Sequence, residues 1–264
     1  MLNLLLVSLT LTGQAPALEI LEPRPTYGHL GAVRPKGAGI LPGDIAFFTF
    51  GIKNLKLDEN GLAKYSVAIE VRDGNGKLFF EQKPFNTIAQ NIFGGDLIPN
   101  STSVSVPLKQ PPSDLKWKIT VKDRNADKSV ELKGEGKVLP ADFGIVRLGT
   151  FADADSLVPI APTGVVGGTL YLNFAAVGFG RDKNKKPDLK FEIKVVDEAG
   201  KSTLAKTISG EIKDGVPDDA DLIPLHFGLT LNRPGRYTVE ISSRCALGNK
   251  TSTVSLPIRI LPMD

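Results

Sequence analysis

The chain has 264 residues, of which 41% are hydrophobic and 23% are charged, and its net charge is +3. This composition is typical of a globular protein and excludes an intrinsically disordered chain. Acidic and basic residues are interleaved, and the densest basic run, 181–186, contains an aspartate and no aromatic residue. A nucleic-acid surface needs a basic stripe with aromatic side chains beside it. We therefore expect no nucleic-acid partner.

The first residues predict an export signal. Residues 2–11 form an apolar stretch that is too short to span a bilayer as a mature helix. Ala15 and Ala17 then supply the small residues that signal peptidase needs. No Lys or Arg precedes the stretch, which leaves a buried first strand as an alternative. We predict a signal peptide over residues 1–17, a periplasmic or extracellular location, and no membrane span in the mature chain.

Cysteine, glycine and proline usage narrows the fold class. The single cysteine, Cys245, cannot form an internal disulfide. Small exported eukaryotic modules usually contain several disulfides, so an exported bacterial protein fits better. The 27 glycines and 19 prolines indicate many turns and favour an all-β fold.

In chain order, the predicted elements after an extended segment at 22–26 are strands. Apolar and polar residues alternate, which indicates strands with one face on a core and one face in water. No stretch keeps a helical period over three turns. The predicted strands are 45–52, 65–72, 104–108, 115–121 and 130–138, then 143–146, 170–177, 189–195, 225–231, 237–241 and 254–260. A β-sandwich with Greek-key connections has about seven strands, and each half of the chain approaches that number.

The two halves of the chain repeat each other at offsets between 122 and 125 residues. Asp-Leu-Ile-Pro at 96–99 recurs at 221–224, and the turn that follows strand 65–72 recurs after strand 189–195. We predict an all-β protein with two tandem immunoglobulin-like β-sandwich domains, residues 18–140 and 141–264, related by internal duplication. The short link at Pro140 predicts an end-to-end arrangement with limited bending. The repeated Asp-Leu-Ile-Pro segment is either a structural crossover between sheets or a contact surface.

Two segments resemble a known class of module. Residues 234–241, followed by the turn at 248–250, look like the last hairpin of bacterial immunoglobulin-like and fibronectin-type-III-like modules, and residues 197–201 look like their mid-domain hairpin. The chain also resembles exported tandem-sandwich proteins of planctomycete-type bacteria. The first copy departs from the pattern with Leu115 where the second has Tyr237, and the cysteine pair and strand-C tryptophan of antibody domains are missing. The resemblance implies an immunoglobulin-like fold and a secreted protein, but it implies no activity.

Residues that carry nucleophilic chemistry are few. The only histidines are His29 and His226, and alternation places His226 on the face opposite the core. Cys245 is expected to be a half-buried, inert thiol. The sequence contains no phosphate-binding loop and no nucleophile motif. We therefore predict no catalytic residue, no metal ligand set and no cofactor.

One acidic turn has a partial calcium-loop spacing. Asp123, Asn125 and Asp127 match its first half, but Lys128 and Gly134 occupy the positions where a glycine and a bidentate glutamate are needed. Asp and Asn also favour turns, so a structural turn is the preferred interpretation. Two further acidic loops leave open a calcium ion at the domain junction: Asp153 with Asp155, and Asp214 with Asp218, Asp219 and Asp221.

These observations predict an exported, non-catalytic binding or structural module of the cell envelope that acts through loops and strand edges. Its partner would be a cell-envelope protein or polysaccharide, and the sequence does not identify the binding residues. A carbohydrate-binding accessory protein is the alternative, which the placement of Tyr27, Tyr171 and Phe179 would decide. A hydrolase with a hidden site is a further one. Trp117 is expected in the core, and Pro107 and Pro257 at sheet edges.

Overall fold

A computed structural model describes residues 16–21, 23–92 and 94–263. The predicted signal peptide, except for Pro16 and Ala17, lies outside the described residues. The described part contains sixteen strands and no helix. They are β1 (Glu19–Ile20), β2 (Arg24–Thr26), β3 (Ile45–Lys53), β4 (Leu62–Asp73), β5 (Leu78–Gln90), β6 (Leu97–Ser105), β7 (Ser113–Asp123), β8 (Lys128–Val138), β9 (Gly144–Phe151), β10 (Thr163–Val165), β11 (Thr169–Val177), β12 (Leu189–Asp197), β13 (Ile208–Ile212), β14 (Leu222–Thr230), β15 (Gly235–Cys245) and β16 (Lys250–Leu261).

The strands form four sheets, two from each half of the chain. In the first half, β3 pairs with β1 and β2 on one side and with β6 on the other, and the second sheet has the order β5-β4-β7-β8. In the second half the orders are β14-β11-β9 and β10-β16-β15-β12-β13. The mixing of early and late strands in each sheet is that of an immunoglobulin-like sandwich. The predicted fold class is confirmed.

The cores lie where alternation predicts them. On β4, Tyr65, Val67, Ile69 and Val71 are at most 5% exposed. Their cluster combines side chains of both sheets of the first sandwich, among them Phe50 of β3. The second sandwich repeats the pattern, with Leu189, Phe191 and Ile193 of β12 buried against the opposite sheet.

A shared turn shows the duplication in detail. In the first sandwich, the Oδ1 atom of Asp73 accepts hydrogen bonds from the N–H groups of residues 75 and 77, both at 2.9 Å. In the second, Oδ1 of Asp197 accepts from residues 199 and 201 at 3.1 and 2.9 Å. Gly76 and Gly200 take φ values of 80° and 75°, a left-handed conformation that favours glycine. The two hairpins therefore share one turn at an offset of 124 residues.

The repeated Asp-Leu-Ile-Pro segment is a crossover between sheets. Leu97 and Leu222 begin β6 and β14, each of which follows a strand of the opposite sheet. This confirms the structural interpretation of the repeat. The expected edge position of Pro107 is wrong, because the residue follows β6 and starts a turn that Gln110 closes. Pro257 lies in β16 and pairs with Thr238, on a stretch that the short β10 does not cover.

Candidate functional site

A buried acid joins the two sandwiches. Asp44, 4% exposed, follows Gly43 and precedes β3. Its Oδ2 atom accepts a hydrogen bond from Nη1 of Arg34 at 2.7 Å. Its Oδ1 atom accepts from the backbone N–H of Arg147 on β9 at 2.7 Å, and Nε of Arg147 donates to the Gly43 carbonyl at 2.8 Å. A carboxylate of the first sandwich therefore binds the backbone of the second.

The position of Arg147 depends on a bulge. The pairing of β9 with β11 shifts register between Asn173 and Ala175, and Arg147 has a φ of 55°. A bulge leaves an extra residue without a ladder partner and redirects its backbone. This irregularity directs the Arg147 N–H at Asp44 instead of at a neighbouring strand.

Apolar contacts widen the joint beyond the short link that the sequence predicted. Val146, Ala175 and Val177 lie on the outer face of the β14-β11-β9 sheet and form a buried cluster with Leu41 and Leu108 of the first half. Part of the first half even joins the second core: Ala32 is a buried member of it, and Tyr27 packs against it. Burial raises the pKa of the Tyr27 phenol, which the charge of Arg34 opposes in part.

The link itself is attached to the second sandwich. The Oδ1 atom of Asp142 accepts from the N–H of Phe143 at 2.7 Å and from Nζ of Lys250 at 2.6 Å. The Lys250 hydrogen bond, with a smaller contribution from Phe143, holds the pKa of Asp142 below its usual range. Gly178 crosses the link so closely that an added Cβ would lie 2.3 Å from the Asp142 carbonyl oxygen. The division of the chain at residue 140 stays a prediction.

A groove of about 490 Å³ opens between the two sheets of the second sandwich. One wall is the last part of β14, including Phe227 and Leu229, and the other is formed by Leu204 and Ile208. Tyr237 of β15, which is 8% exposed, lies at the inner end. The groove therefore gives solvent access to apolar side chains of the core.

An arginine lies at the mouth of the groove. Nε of Arg233 donates to Oη of Tyr237 at 2.8 Å, and this bond is the main reason that the pKa of Arg233 is raised. The Tyr237 hydroxyl in turn donates to the Pro234 carbonyl at 3.2 Å. A tyrosine near the start of this strand, bonded back to the preceding corner, is a recurrent feature of immunoglobulin-like sandwiches. Here it also holds the guanidinium beside the groove.

The structure does not bring the histidines and the cysteine together. His226 is exposed, as alternation predicted, and His29 is exposed with its Nδ1 atom 2.5 Å from Oγ of Ser101. Cys245 is 1% exposed, so the expectation of a half-buried thiol is wrong. Its Sγ atom accepts from the Gly180 N–H at 3.4 Å.

The acidic turn at Asp123 has its oxygens occupied by backbone donors. Oδ2 of Asp123 accepts from Lys56, and Oδ1 accepts from Asn125 and Ala126, at 2.8 to 3.0 Å. Asp127 forms an ion pair with Lys122. This geometry is that of the structural turn.

The other acidic loops do not form a ligand set either. Asp218 and Asp221 line a depression at the joint, where the charged residue of the first half is Lys109. Backbone N–H groups of Leu157 and Val158 bind Asp153 and lower its pKa. Within the described residues, no three acidic, histidine or cysteine side chains converge as a metal site.

The aromatic side chains that would decide carbohydrate binding are all half-buried. Tyr27 and Phe179 pack against the second core, and Tyr171 lies against Gly228. Trp117, which was expected in the core, is only half-buried; it packs against the first core with its ring centroid 5.5 Å from that of Phe48. Arginine side chains lie over two of these rings, Arg34 over Tyr27 and Arg181 over Phe179, whereas Trp117 lines a surface depression. Across residues 16–21, 23–92 and 94–263, no helix has the length and apolar character needed to cross a membrane.

Comparison with known proteins identifies no family. No family model and no curated protein matches the chain. Among solved structures, it is similar to the C-terminal domain of the antigen I/II-family protein AspA of Streptococcus pyogenes, at 9% identity and a TM-score of 0.30, over 92% of this chain and 99% of that one. The C-terminal domain of the AgI/II polypeptide BspA of Streptococcus agalactiae gives 8% and 0.31, over 91% and 100%.

A transglutaminase of red sea bream is similar at 8% identity and a TM-score of 0.28, over 93% of this chain. The chain spans 31% of the length of that enzyme. Likeness at these values carries no argument about function, and the fold described above rests on the strand pairing of this chain alone.

Proposed function

We propose that this chain is an exported, non-catalytic binding module of the cell envelope in which two sandwiches act as one fixed body. The joint is the observation that carries the proposal. The carboxylate of Asp44 is buried and accepts hydrogen bonds from both halves of the chain. Removing one member of such a buried pair is costly, so the two sandwiches keep a constant spacing. Constant spacing favours simultaneous contact with a partner at two places.

Exposed apolar side chains on one sheet edge support a protein partner. Strand β5 is the outer strand of its sheet, and Phe85 and Ile88 are 67% and 61% exposed. Ile92, just beyond the strand, is 74% exposed. No charged residue occurs between Lys83 and Asp96. An uncharged sheet edge with exposed apolar side chains is typical of an interaction surface.

Export is supported by the apolar stretch at residues 2–11 and the small residues Ala15 and Ala17. Cell fractionation and amino-terminal sequencing test this part. We expect the protein outside the cytoplasm with Leu18 as its first residue. Retention in the cytoplasm with an intact amino terminus would overturn it.

Cross-linking in the native envelope, followed by mass spectrometry, tests the binding role. We expect reproducible cross-links to one partner from lysines near the β5 edge, such as Lys83, and fewer after Ile88→Lys. The matched control is Ser209→Lys, at an exposed position outside the groove on β13, the corresponding outer strand of the second sandwich. A protein that stays free of cross-links in the envelope would contradict the binding role.

A further inference from the structure

We propose that the groove of the second sandwich binds an extended peptide segment that carries an aromatic side chain beside a carboxylate. This inference rests on the proposed binding function and names the chemistry of the partner. It comes from a comparison within the molecule, because the first sandwich shows what fills the corresponding space when no groove is present.

In the first sandwich, two phenyl rings close the gap between the sheets. Phe79 and Phe80, at the start of β5, pack against the first core. Counting 124 residues onward from the shared turn places Thr203 and Leu204 at these positions. The isolated pairing of Val196 with Ser202 matches that of Arg72 with Leu78. The structural correspondence therefore holds up to Ser202, the residue before Thr203. The second sandwich therefore lacks two rings at this position, and Leu204 lines the groove instead.

The facing strand shows the same difference. Thr102 and Val104 of β6 are 6% and 2% exposed. Their counterparts 125 residues on, Phe227 and Leu229 of β14, are half-buried and line the groove. In the first sandwich, Thr102 also donates a hydrogen bond to Gln82 of β5 at 3.4 Å, which ties the two sheets together. The groove of the second sandwich thus corresponds to a space that is filled in the first sandwich. There, strand β5 fills it with the aromatic side chains of Phe79 and Phe80.

The groove also offers backbone hydrogen bonds to an extended segment. Within the described part, β14 pairs only with β11, and residues 227–231 of β14 and its end run along the groove. The outer edge of a strand presents unpaired N–H and C=O groups that an added peptide strand can bind. In this binding mode, backbone bonds provide affinity and a side-chain pocket provides specificity. Here the pocket is the space that two phenyl rings fill in the first sandwich.

Arg233 supplies the preference for a carboxylate. Its Nε atom is bound to Tyr237, while Nη1 and Nη2 have no protein partner among the residues described. Planar, two-point binding of a carboxylate is what a guanidinium does best. Because Arg233 lies three residues beyond the end of β14 and lines the groove, the acid of the ligand would lie next to its aromatic residue.

Titration by NMR tests the inference with the full mature chain. The probe is the soluble peptide acetyl-Ser-Phe-Glu-Ser-amide. We expect saturable shifts of the amide signals of Gly228 and Thr230, whose N–H groups alternate with the paired one of Leu231. Replacing Phe by Ala in the peptide should abolish them, and replacing Glu by Gln should weaken binding severalfold, since a charge-assisted hydrogen bond is lost. Shifts that are absent, or that lie outside the groove, overturn the proposal.

Two variants separate the pocket from the charge. Leu204→Phe restores an aromatic ring to the gap and should weaken peptide binding about tenfold while leaving the fold intact. Arg233→Gln should weaken the Glu peptide to the level of the Gln peptide. Arg236→Gln, an exposed arginine on β15 outside the groove, is the matched control and should bind normally. Full affinity in Leu204→Phe contradicts the proposal.

Dodecanoate provides the competing outcome. If dodecanoate shifts the groove signals and the peptide does not, the occupant is an acyl chain and the peptide assignment is wrong. Failure of the groove is distinguishable from failure of the proposed function. Envelope cross-links that persist with no peptide binding place the contact elsewhere on the module, whereas peptide binding without any envelope cross-link removes the envelope role.

Discussion

Trp117 faces Gly134 across the β7–β8 ladder, and at the corresponding place in the second sandwich Val239 faces Leu256. A Cβ added to Gly134 would lie 2.0 Å from Cζ2 of Trp117, so the large residue is accommodated only because its neighbour is small. The second copy divides a similar volume between two medium side chains. Interiors are close-packed, and the comparison shows that two copies of one fold fill their cores by different local exchanges of volume.

The two copies also differ in the polar side chains that they carry at equivalent backbone positions. Gly43 and Gly167 occupy the same turn, with φ values of 92° and 90°. The next residue is Asp44 in the first copy, where it binds the second sandwich, and Gly168 in the second. Likewise Leu115 stands where the second copy has Tyr237. The duplicated backbone is retained, while the side chains at a few positions differ according to the surroundings of each copy.

The largest effect is expected for Asp44→Gly, which gives the first copy the residue of the second. It leaves the Arg34 guanidinium, 8% exposed, without its carboxylate and removes the acceptor for Arg147. We expect a loss of about 3–5 kcal/mol in the free energy of unfolding, measured by denaturant titration. The reciprocal change Gly168→Asp, at an exposed site, should cost less than about 1 kcal/mol. Similar costs for the two variants would contradict a role for Asp44 in the joint.

An exchange of core residues tests the volume comparison. Gly134→Leu should destabilise the protein by about 1–3 kcal/mol through overpacking against the indole. Adding Trp117→Val, which recreates the pair of the second sandwich, should recover at least half of that loss. A double-mutant cycle measures the coupling. Additive costs for the two changes would show that the pair does not share one volume.

Tyr237→Phe is expected to lower the free energy of unfolding by about 1 kcal/mol, because it removes the hydroxyl that binds Arg233 and the Pro234 carbonyl. Thermal unfolding followed by circular dichroism is a suitable measurement. Tyr171→Phe is the control. Tyr171 is half-buried, and its hydroxyl has no protein hydrogen-bond partner among the described residues. An equal effect of both variants would argue against a specific role for the Tyr237 hydroxyl.

The smallest effect concerns pH and the link. Because the folded-state pKa of Asp142 lies below its ordinary value of 3.8, the ion pair with Lys250 contributes fully above that ordinary value. The contribution is lost as the pH falls through the lowered folded pKa. The side chains are 60% and 51% exposed, so we expect less than about 1 kcal/mol.

The pH dependence of the thermal midpoint checks this expectation by comparison of the wild type with Asp142→Asn. The two curves should converge at acid pH and separate near neutrality. A constant difference across the pH range would mean that the ion pair is not its source.

Much of this fold can be predicted from the sequence, because one face of each central strand is buried. Alternation identifies β4, β12 and β15, and the repeated turns fix their partners. Strand β5 is missed because a bulge, visible as a register shift between Val67 and Ile69 of β4, places Pro84 in the strand and breaks the period of two. The central strands and the outer strands β6, β8, β9 and β14 could thus be predicted, whereas the outer strands β5 and β13 were missed.

The site is less accessible to such reasoning. The bond between Asp44 and Arg147 joins residues 103 positions apart, and no periodicity encodes it. The groove has a weak signal in the sequence. When the two copies are aligned, Phe79 and Phe80 of the first correspond to Thr203 and Leu204 of the second. That substitution matters only because the facing strand β14 is left uncovered, which the strand pairing reveals.

The packing of Tyr27 and Ala32 against the second core has a consequence for biosynthesis. The ribosome makes these residues early, but the core they join also contains Ile258 and Ile260 near the end of the chain. At about 5–20 residues per second, roughly 230 residues of synthesis separate them, which is on the order of 10–50 seconds. During that interval the second core is incomplete, and Tyr27 and Ala32 cannot take their final packing. The first half therefore completes its folding only after the residues near 260 have been made.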